Sequence, residues 1–156
     1  MEGKSDAEWM HEALKEARTA FEAGEVPVGA VVVAGGRLVG RGGNRIEGLK
    51  DATAHAEIIA IGAASEAVGD WRLDGATLVV TVEPCMMCLG AIFLSRIARV
   101  VFGAYDRRAG ACGSAIGLGA MKYMGRDIVV QGGVLDAECQ GLLLEFFSKL
   151  RQSDRV

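Results

Sequence analysis

His55-Ala56-Glu57 and Pro84-Cys85-Met86-Met87-Cys88 constrain this chain more than any other feature. One imidazole and two thiolates suit a zinc ion. The three donors stand in two clusters, so the fold has to bring the clusters together. Three protein ligands leave one coordination position open, which separates a catalytic zinc from a structural one. The histidine binds metal as neutral imidazole and the thiols bind as thiolates. Other uses of such residues exist. A Cys-x-x-Cys can be a redox pair or half of a structural zinc site. A redox pair would normally close the first strand of a thioredoxin-like unit, whereas this one is mid-chain behind Pro84. A structural site would want a fourth ligand. Cys112, Cys139 and His11 form no second ligand pair at metal spacing, and the two cysteines read as small buried hydrophobes. The expectation is one catalytic Zn2+ per subunit held by His55, Cys85 and Cys88.

At 156 residues the chain suits one domain, 1–156, with a proper core. No apolar run is long enough to span a membrane. The polar, acidic N-terminus does not read as a signal peptide, and unmodified thiols at metal spacing fit a reducing, cytoplasmic setting. Net charge is −3 and the pI about 5.4, whereas nucleic-acid binders are usually basic. The charge is uneven, however. Residues Met1 to Glu25 hold seven acids against three bases. The segment Tyr105 to Arg126 carries Arg107, Arg108, Lys122 and Arg126 against Asp106 alone. Such an edge can meet phosphate even on an acidic protein; the other reading is a set of ordinary solvated loop charges.

Ser5-Asp6-Ala7-Glu8 reads as a capping box before a helix with Met10, Leu14, Ala17 and Phe21 on one face, ended by Gly24. Val26 to Val33 reads as a strand, Ala34-Gly35-Gly36-Arg37 as a hairpin turn, and Leu38 to Arg41 as its partner. Gly42-Gly43-Asn44 then leaves the sheet. A second helix starts at Thr53 or Ala54 and runs to about Ala67, with Ile58, Ile59, Ile61 and Ala64 inward. Thr77 to Val82 reads as a strand, and Pro84 is placed to open a helix on which Cys85 and Cys88 share a face. Both metal clusters thus fall at helix N-termini, where the macrodipole favours thiolate. Arg99 to Ala104 and Ile128 to Gln131 read as strands around a long glycine-rich segment, Tyr105 to Gly125. Asp136 caps a last helix with Leu142, Leu143, Phe146, Phe147 and Leu150. The order predicts an α/β fold, a three-layer α/β/α sandwich with a mixed sheet of about five strands.

The pattern H-x-E…P-C-x-x-C is a general signature of zinc deaminases, and the chain resembles the cytidine deaminase superfamily over nearly its whole length. Within it the chain is similar to the bacterial tRNA-specific adenosine deaminases. The motifs that carry this are Glu25-Val26-Pro27-Val28-Gly29-Ala30-Val31, Asn44-Arg45, Thr53-Ala54-His55-Ala56-Glu57-Ile58, Thr81-Val82-Glu83-Pro84-Cys85-Met86-Met87-Cys88, Ser95-Arg96-Ile97, Val100-Val101-Phe102-Gly103-Ala104 and Gly110-Ala111-Cys112-Gly113-Ser114. The zinc motif is shared by base, nucleoside and nucleotide deaminases; the Val-Pro-Val-Gly-Ala-Val and Phe-Gly-Ala runs favour the tRNA branch. The resemblance implies hydrolysis of adenosine to inosine at the wobble position of a tRNA anticodon, usually of arginine tRNA. The agents would be a zinc-activated hydroxide derived from a catalytic water and Glu57 as proton shuttle. It also implies a cytoplasmic homodimer and a flipped base. Asn44 and the backbone N–H of Ala56 would contact that base, Asp106 a neighbouring ribose, and Phe146 or Phe147 the RNA surface. Departures lie on the rim that would read RNA, among them a glycine-rich Gly117-Leu118-Gly119-Ala120 and a C-terminal tail that is not strongly basic. Met124-Gly125-Arg126-Asp127 stands where Asn-His is common, Ala52 where proline is common, and Tyr105 where arginine is frequent. A deaminase of a free base or nucleoside, of guanine or cytosine type, uses the same metal and Glu57. A zinc-stabilised RNA-binding module without catalysis is a third reading, which the carboxylate at Glu57 disfavours.

Overall fold

The computed structural model describes residues 3–154; Glu2, counted among the acids above, and Arg155 of the tail lie outside them. The elements are α1 (Asp6–Glu22), β1 (Gly29–Ala34), β2 (Arg37–Gly43), α2 (Ile46–Leu49), α3 (Ala56–Val68), β3 (Thr77–Val82), α4 (Met86–Leu94), β4 (Arg99–Ala104), β5 (Val129–Gln131) and α5 (Asp136–Ser153). The strands form one mixed sheet in the order β2-β1-β3-β4-β5. β1 is antiparallel to both neighbours, while β3, β4 and β5 run parallel.

Alternate strand residues face opposite layers. Val31, Val79 and Val101 meet Met10 and Leu14 of α1 and Cys139 and Leu142 of α5. Val32, Leu78, Val80 and Val100 meet Ala60 and Ala64 of α3 and Leu89 and Ile92 of α4. Coverage on both faces is why β3 and β4 read as continuous apolar runs. The result is the α/β/α sandwich expected from the order of elements.

α1 starts at the expected capping box. Ser5 Oγ accepts from the Glu8 N–H at 3.2 Å, and the Glu8 carboxylate accepts from the Ser5 N–H at 3.3 Å. Asp6, in the first turn, is held by Arg99 of β4 through two bonds of 2.7 and 2.5 Å. The Arg99 hydrogen bonds hold the Asp6 carboxyl below its ordinary 3.8. A depressed carboxyl stabilises the fold above its unfolded value, and that contribution is lost as pH falls through the folded one. Asp6→Asn should therefore lower the melting temperature at pH 7, by an amount matching about 1 kcal/mol or less for a pair one-third exposed. The gap to the parent should close below pH 4. A gap that persists unchanged at pH 2.5 would remove the ion pair as its cause.

α3 departs from the expected pattern. Ala56, Glu57, Ala60 and Ala64 are its buried residues, and Ile58, Ile59 and Ile61 are only half-buried. The reason lies in β2. A Cβ added to Gly40 would stand 2.5 Å from the Ala60 carbonyl oxygen and 2.6 Å from the Ala64 amide nitrogen; one on Gly42 would stand 2.8 Å from the Ala60 amide nitrogen. Helix and strand approach backbone to backbone at Gly40, where Ala60 and Ala64 lie, and the bare Gly42 position leaves room for the Ile59 side chain. The same closeness keeps Gly42 and Gly43 paired in the sheet, opposite Ala30 and Gly29, instead of leaving it.

Other boundaries shift. Val26-Pro27-Val28 precedes β1 because Pro27 has no N–H to give a ladder and the Val28 N–H turns back to the Val26 carbonyl at 2.8 Å. Pro84 lies one residue before the cap of α4, which is Cys85. α5 is capped by Leu135 in left-handed conformation (φ 55°), with Asp136 in its first turn. The one-turn α2 has no counterpart in the sequence reading.

Candidate metal centre and substrate cleft

Two chain reversals build the donor cluster. His55 is the cap of α3 (φ −74°, ψ 154°) and Cys85 the cap of α4 (φ −77°, ψ 175°). Cap side chains usually accept from the first free N–H groups of their helix, but neither of these does. Instead they turn toward each other, with Cys88 one turn into α4. Cys85 Sγ lies 3.7 Å and Cys88 Sγ 3.5 Å from His55 Nδ1, and all three donor atoms fall within 4.8 Å of one another. A tetrahedral ion with N and S bonds of about 2.05 and 2.3 Å would separate those atoms by about 3.6 Å. The donors thus fit one such ion in both type and spacing.

Charge in the cluster follows from its crowding. Cys85 is lowered to about 3, first by the hydrogen bond from the Cys88 thiol and then by His55. Cys88, the donor in that bond, is pushed up, and His55 is raised by its contact with Cys85. Of the two coupled thiols, one is held as thiolate at the N-terminal end of α4, where the helix dipole favours it. A divalent cation would displace the remaining protons.

Glu57 follows two residues after His55. It is 4 % exposed, and burial raises its carboxyl to about 7. It lines an open cleft of about 590 Å³ together with His55 and Cys85, and Asn44, Asp106 and Phe147 stand on the same cleft. Glu57, His55, Cys85, Asn44 and Asp106 are thus brought together as the sequence suggested, and Cys88 completes the donor set from below α4's first turn. Ala56 is placed differently. It is fully buried, and its N–H, expected to face a base, is donated to Asn44 Oδ1 at 2.9 Å. This bond orients the Asn44 amide and leaves its Nδ2 as the free donor. Asp106 Oδ1 accepts from the N–H groups of Arg108 and Ala109 at 3.0 and 3.1 Å, which folds the loop after β4. Of the two phenylalanines, Phe147 reaches the cleft while Phe146 packs edge-on against Phe21 at 5.5 Å. The basic edge is half neutralised: Lys122 pairs with Asp127 and Arg126 with Asp74. Arg107 and Arg108 face the cleft with no acidic partner among the described residues.

Two buried carboxylates shape the rim, and the sequence reading gave neither a role. Glu25 accepts from the N–H groups of Glu47 and Gly48 at 2.9 and 2.7 Å, which fixes α2 and the approach to Asn44. Glu83 accepts from the N–H groups of Asp106, Cys112 and Ser114 at 3.2, 3.0 and 3.1 Å, and from the Ser114 hydroxyl. A Cβ on Gly110 would overlap the Glu83 carboxyl. A signal was present: Glu83 sits beside Pro84 and Glu25 two residues before Pro27, each next to an apolar run, and a buried carboxylate must find donors.

The MafB19-like deaminase family matches residues 4–151. The tRNA-specific adenosine deaminase of Bacillus subtilis (strain 168) is 46% identical over 151 residues, 97% of this chain and 94% of that protein. Among solved structures, a chain from studies of A-to-I editing by tRNA:A34 deaminases at the wobble position superposes with TM-score 0.82 at 44% identity, covering 86% of this chain and 98% of that one. A guanine deaminase from Nitrosomonas europaea superposes with TM-score 0.77 at 25% identity, covering 94% and 86%.

Proposed function

The chain belongs to the MafB19-like deaminase family and to the tRNA-specific adenosine deaminases, and on that premise we propose that it converts adenosine to inosine at the wobble position of a tRNA anticodon, that of arginine tRNA. The observation that carries the reading is a buried carboxyl, Glu57, opening on the same cleft as a His-Cys-Cys donor set. His55, Cys85 and Cys88 hold zinc, whose softness and tetrahedral habit match them. A bound zinc ion supplies Lewis acidity, letting water ionise near neutral pH.

The chain's own groups do the rest. Hydrolysis takes up one water and releases one ammonia. Glu57 accepts the water's proton on a carboxylate oxygen and returns it to the purine ring nitrogen. It then carries the second proton to the departing amine. A carboxyl near 7 is suited to both directions of transfer at neutral pH. The Asn44 Nδ2 donates to the edge of the base, and Asp106 presents its second carboxylate oxygen to a neighbouring ribose. The adenosine leaves its stack to reach them. The chain acts as one deaminase domain, 1–156, in a cytoplasmic homodimer. The likeness to a guanine deaminase favours a second reading, hydrolysis of a free base. An open cleft with Arg107 and Arg108 on its wall speaks for RNA instead.

The test is an assay of zinc-loaded protein on arginine tRNA with a wobble adenosine, beside free guanine, adenine, cytosine and their nucleosides. Inosine at the wobble position is expected, with tRNA affinity falling on a log–log salt plot by about 0.7 per single-strand phosphate neutralised. Ammonia only from a free base, or a flat salt response, would transfer the chain to the small-molecule deaminases.

A further inference from the structure

One buried side chain holds the loop that flanks the donor cluster. Glu83 is 3 % exposed and stands two residues before Cys85. Every partner of its carboxylate is a donor on the loop after β4. Oε1 takes the Asp106 N–H at 3.2 Å and the Ser114 hydroxyl. Oε2 takes the Cys112 and Ser114 N–H groups at 3.0 and 3.1 Å. The main chain strengthens the same joint: the Glu83 N–H donates to the Ala104 carbonyl and the Ala111 N–H to the Pro84 carbonyl, each at 2.8 Å. The loop is therefore tied to the two residues through which the chain enters Cys85. Gly110 makes room for the tie, since a Cβ there would stand 2.3 Å from Glu83 Oε2 and 2.5 Å from the Asp106 carbonyl oxygen. What the loop brings to the cleft is Asp106, Arg107 and Arg108.

The two carboxylate oxygens are not equivalent. Oε2 meets only N–H groups, so an acceptor has to stand there. Oε1 meets one N–H and one hydroxyl, and a hydroxyl accepts as well as donates. A carboxamide at this position would settle with its oxygen in the place of Oε2 and its NH2 toward Ser114. The N–H groups of Cys112 and Ser114 would keep their partner. The Asp106 N–H would face a second donor and alone lose its bond.

We propose that Glu83 is a positioning residue for Asp106, its Oε1 setting where the Asp106 side chain stands relative to the donor cluster and so how tightly substrate is held. The inference rests on the tRNA reading above, in which Asp106 meets a ribose. A residue that only fills space would be replaced by glutamine without loss, because the volumes match.

The experiment takes Glu83→Gln, first shown to bind zinc like the parent, and an anticodon stem-loop with a wobble adenosine. KM should rise about tenfold or more, since a misplacement of about 1 Å costs up to about 10²-fold. The kcat should stay within about threefold, the mark of lost binding common to ground and transition states. Amide exchange should quicken at Asp106 and stay unchanged at Cys112 and Ser114. Asp106→Asn keeps the Oδ1 that accepts from its own turn and removes the charge offered to the ribose. In that background Glu83→Gln should change KM by less than about threefold, the sign of direct coupling. Gly110→Ala opens the joint from the loop side and should raise KM in the same way, which decides the matter if Glu83→Gln does not fold. A parent-like KM in the folded variants, a fall in kcat with KM unmoved, or full additivity with Asp106→Asn would overturn the inference while leaving wobble deamination standing. A parent protein that makes no inosine from the stem-loop would overturn both.

Discussion

Glu57→Ala should lower kcat about 10²–10⁴-fold, the scale on which a positioned acid–base group contributes, while zinc content stays at one ion per subunit. The two halves of this result separate because Glu57 stands outside the donor set: the three donor atoms are supplied by His55, Cys85 and Cys88. The carboxyl is buried, and burial raises it to about 7, so the fold disfavours its charged form. Removing it should leave the melting temperature unchanged or higher, the usual relation at a site strained for chemistry. Glu57→Gln sharpens the comparison, since it keeps the volume and has no carboxyl proton to cycle. Turnover within threefold of the parent in either variant would remove Glu57 as the shuttle. Loss of zinc would instead make it a ligand.

Cys88→Ala is the second large effect, and it reads out in metal rather than rate. Cys88 is fully buried at the first turn of α4, 3.5 Å from the imidazole. Two remaining donors cannot hold a tetrahedral ion with one open position. Zinc per subunit should fall to near zero at micromolar free metal, with activity following it. The melting temperature should drop to that of the parent stripped by a chelator, because binding free energy is folding free energy at such a site. If the variant kept its full zinc content, the donor assignment would be wrong. A melting temperature well below that of the chelated parent would mean that the thiol matters to packing as well.

The layers and the donor set were legible because they rest on periodic or spaced signals. The capping box at Ser5 and Glu8, the doubly buried runs of β3 and β4, and the His-x-Glu and Cys-x-x-Cys spacings each have one physical reading. α3 was misread for a reason outside its own sequence. Isoleucines outrank alanines as core residues in isolation, but Gly40 on a neighbouring strand brings its backbone against Ala60 and Ala64, and Ile59 packs there only over the bare Gly42. The partners of Glu25 and Glu83 were not legible for a similar cause, since all but one are backbone N–H groups 22 to 31 positions away. Nothing in the residue types at 47, 48 or 112 announces a bond to them. The rim follows from contacts, whereas the donor set follows from letters.

The contact of α3 with β2 has a bearing beyond packing. His55 is the residue at which α3 begins, whereas Cys85 and Cys88 come from β3 and α4. The gap between imidazole and thiols is therefore inherited from how near α3 rests on the sheet, and that spacing is set by the absence of side chains at Gly40 and Gly42. The two glycines work as a depth stop for the helix. A methyl group there would enlarge the donor triangle from about one to two and a half turns along the helix, and affinity for the ion would register the displacement as a gauge registers a shim.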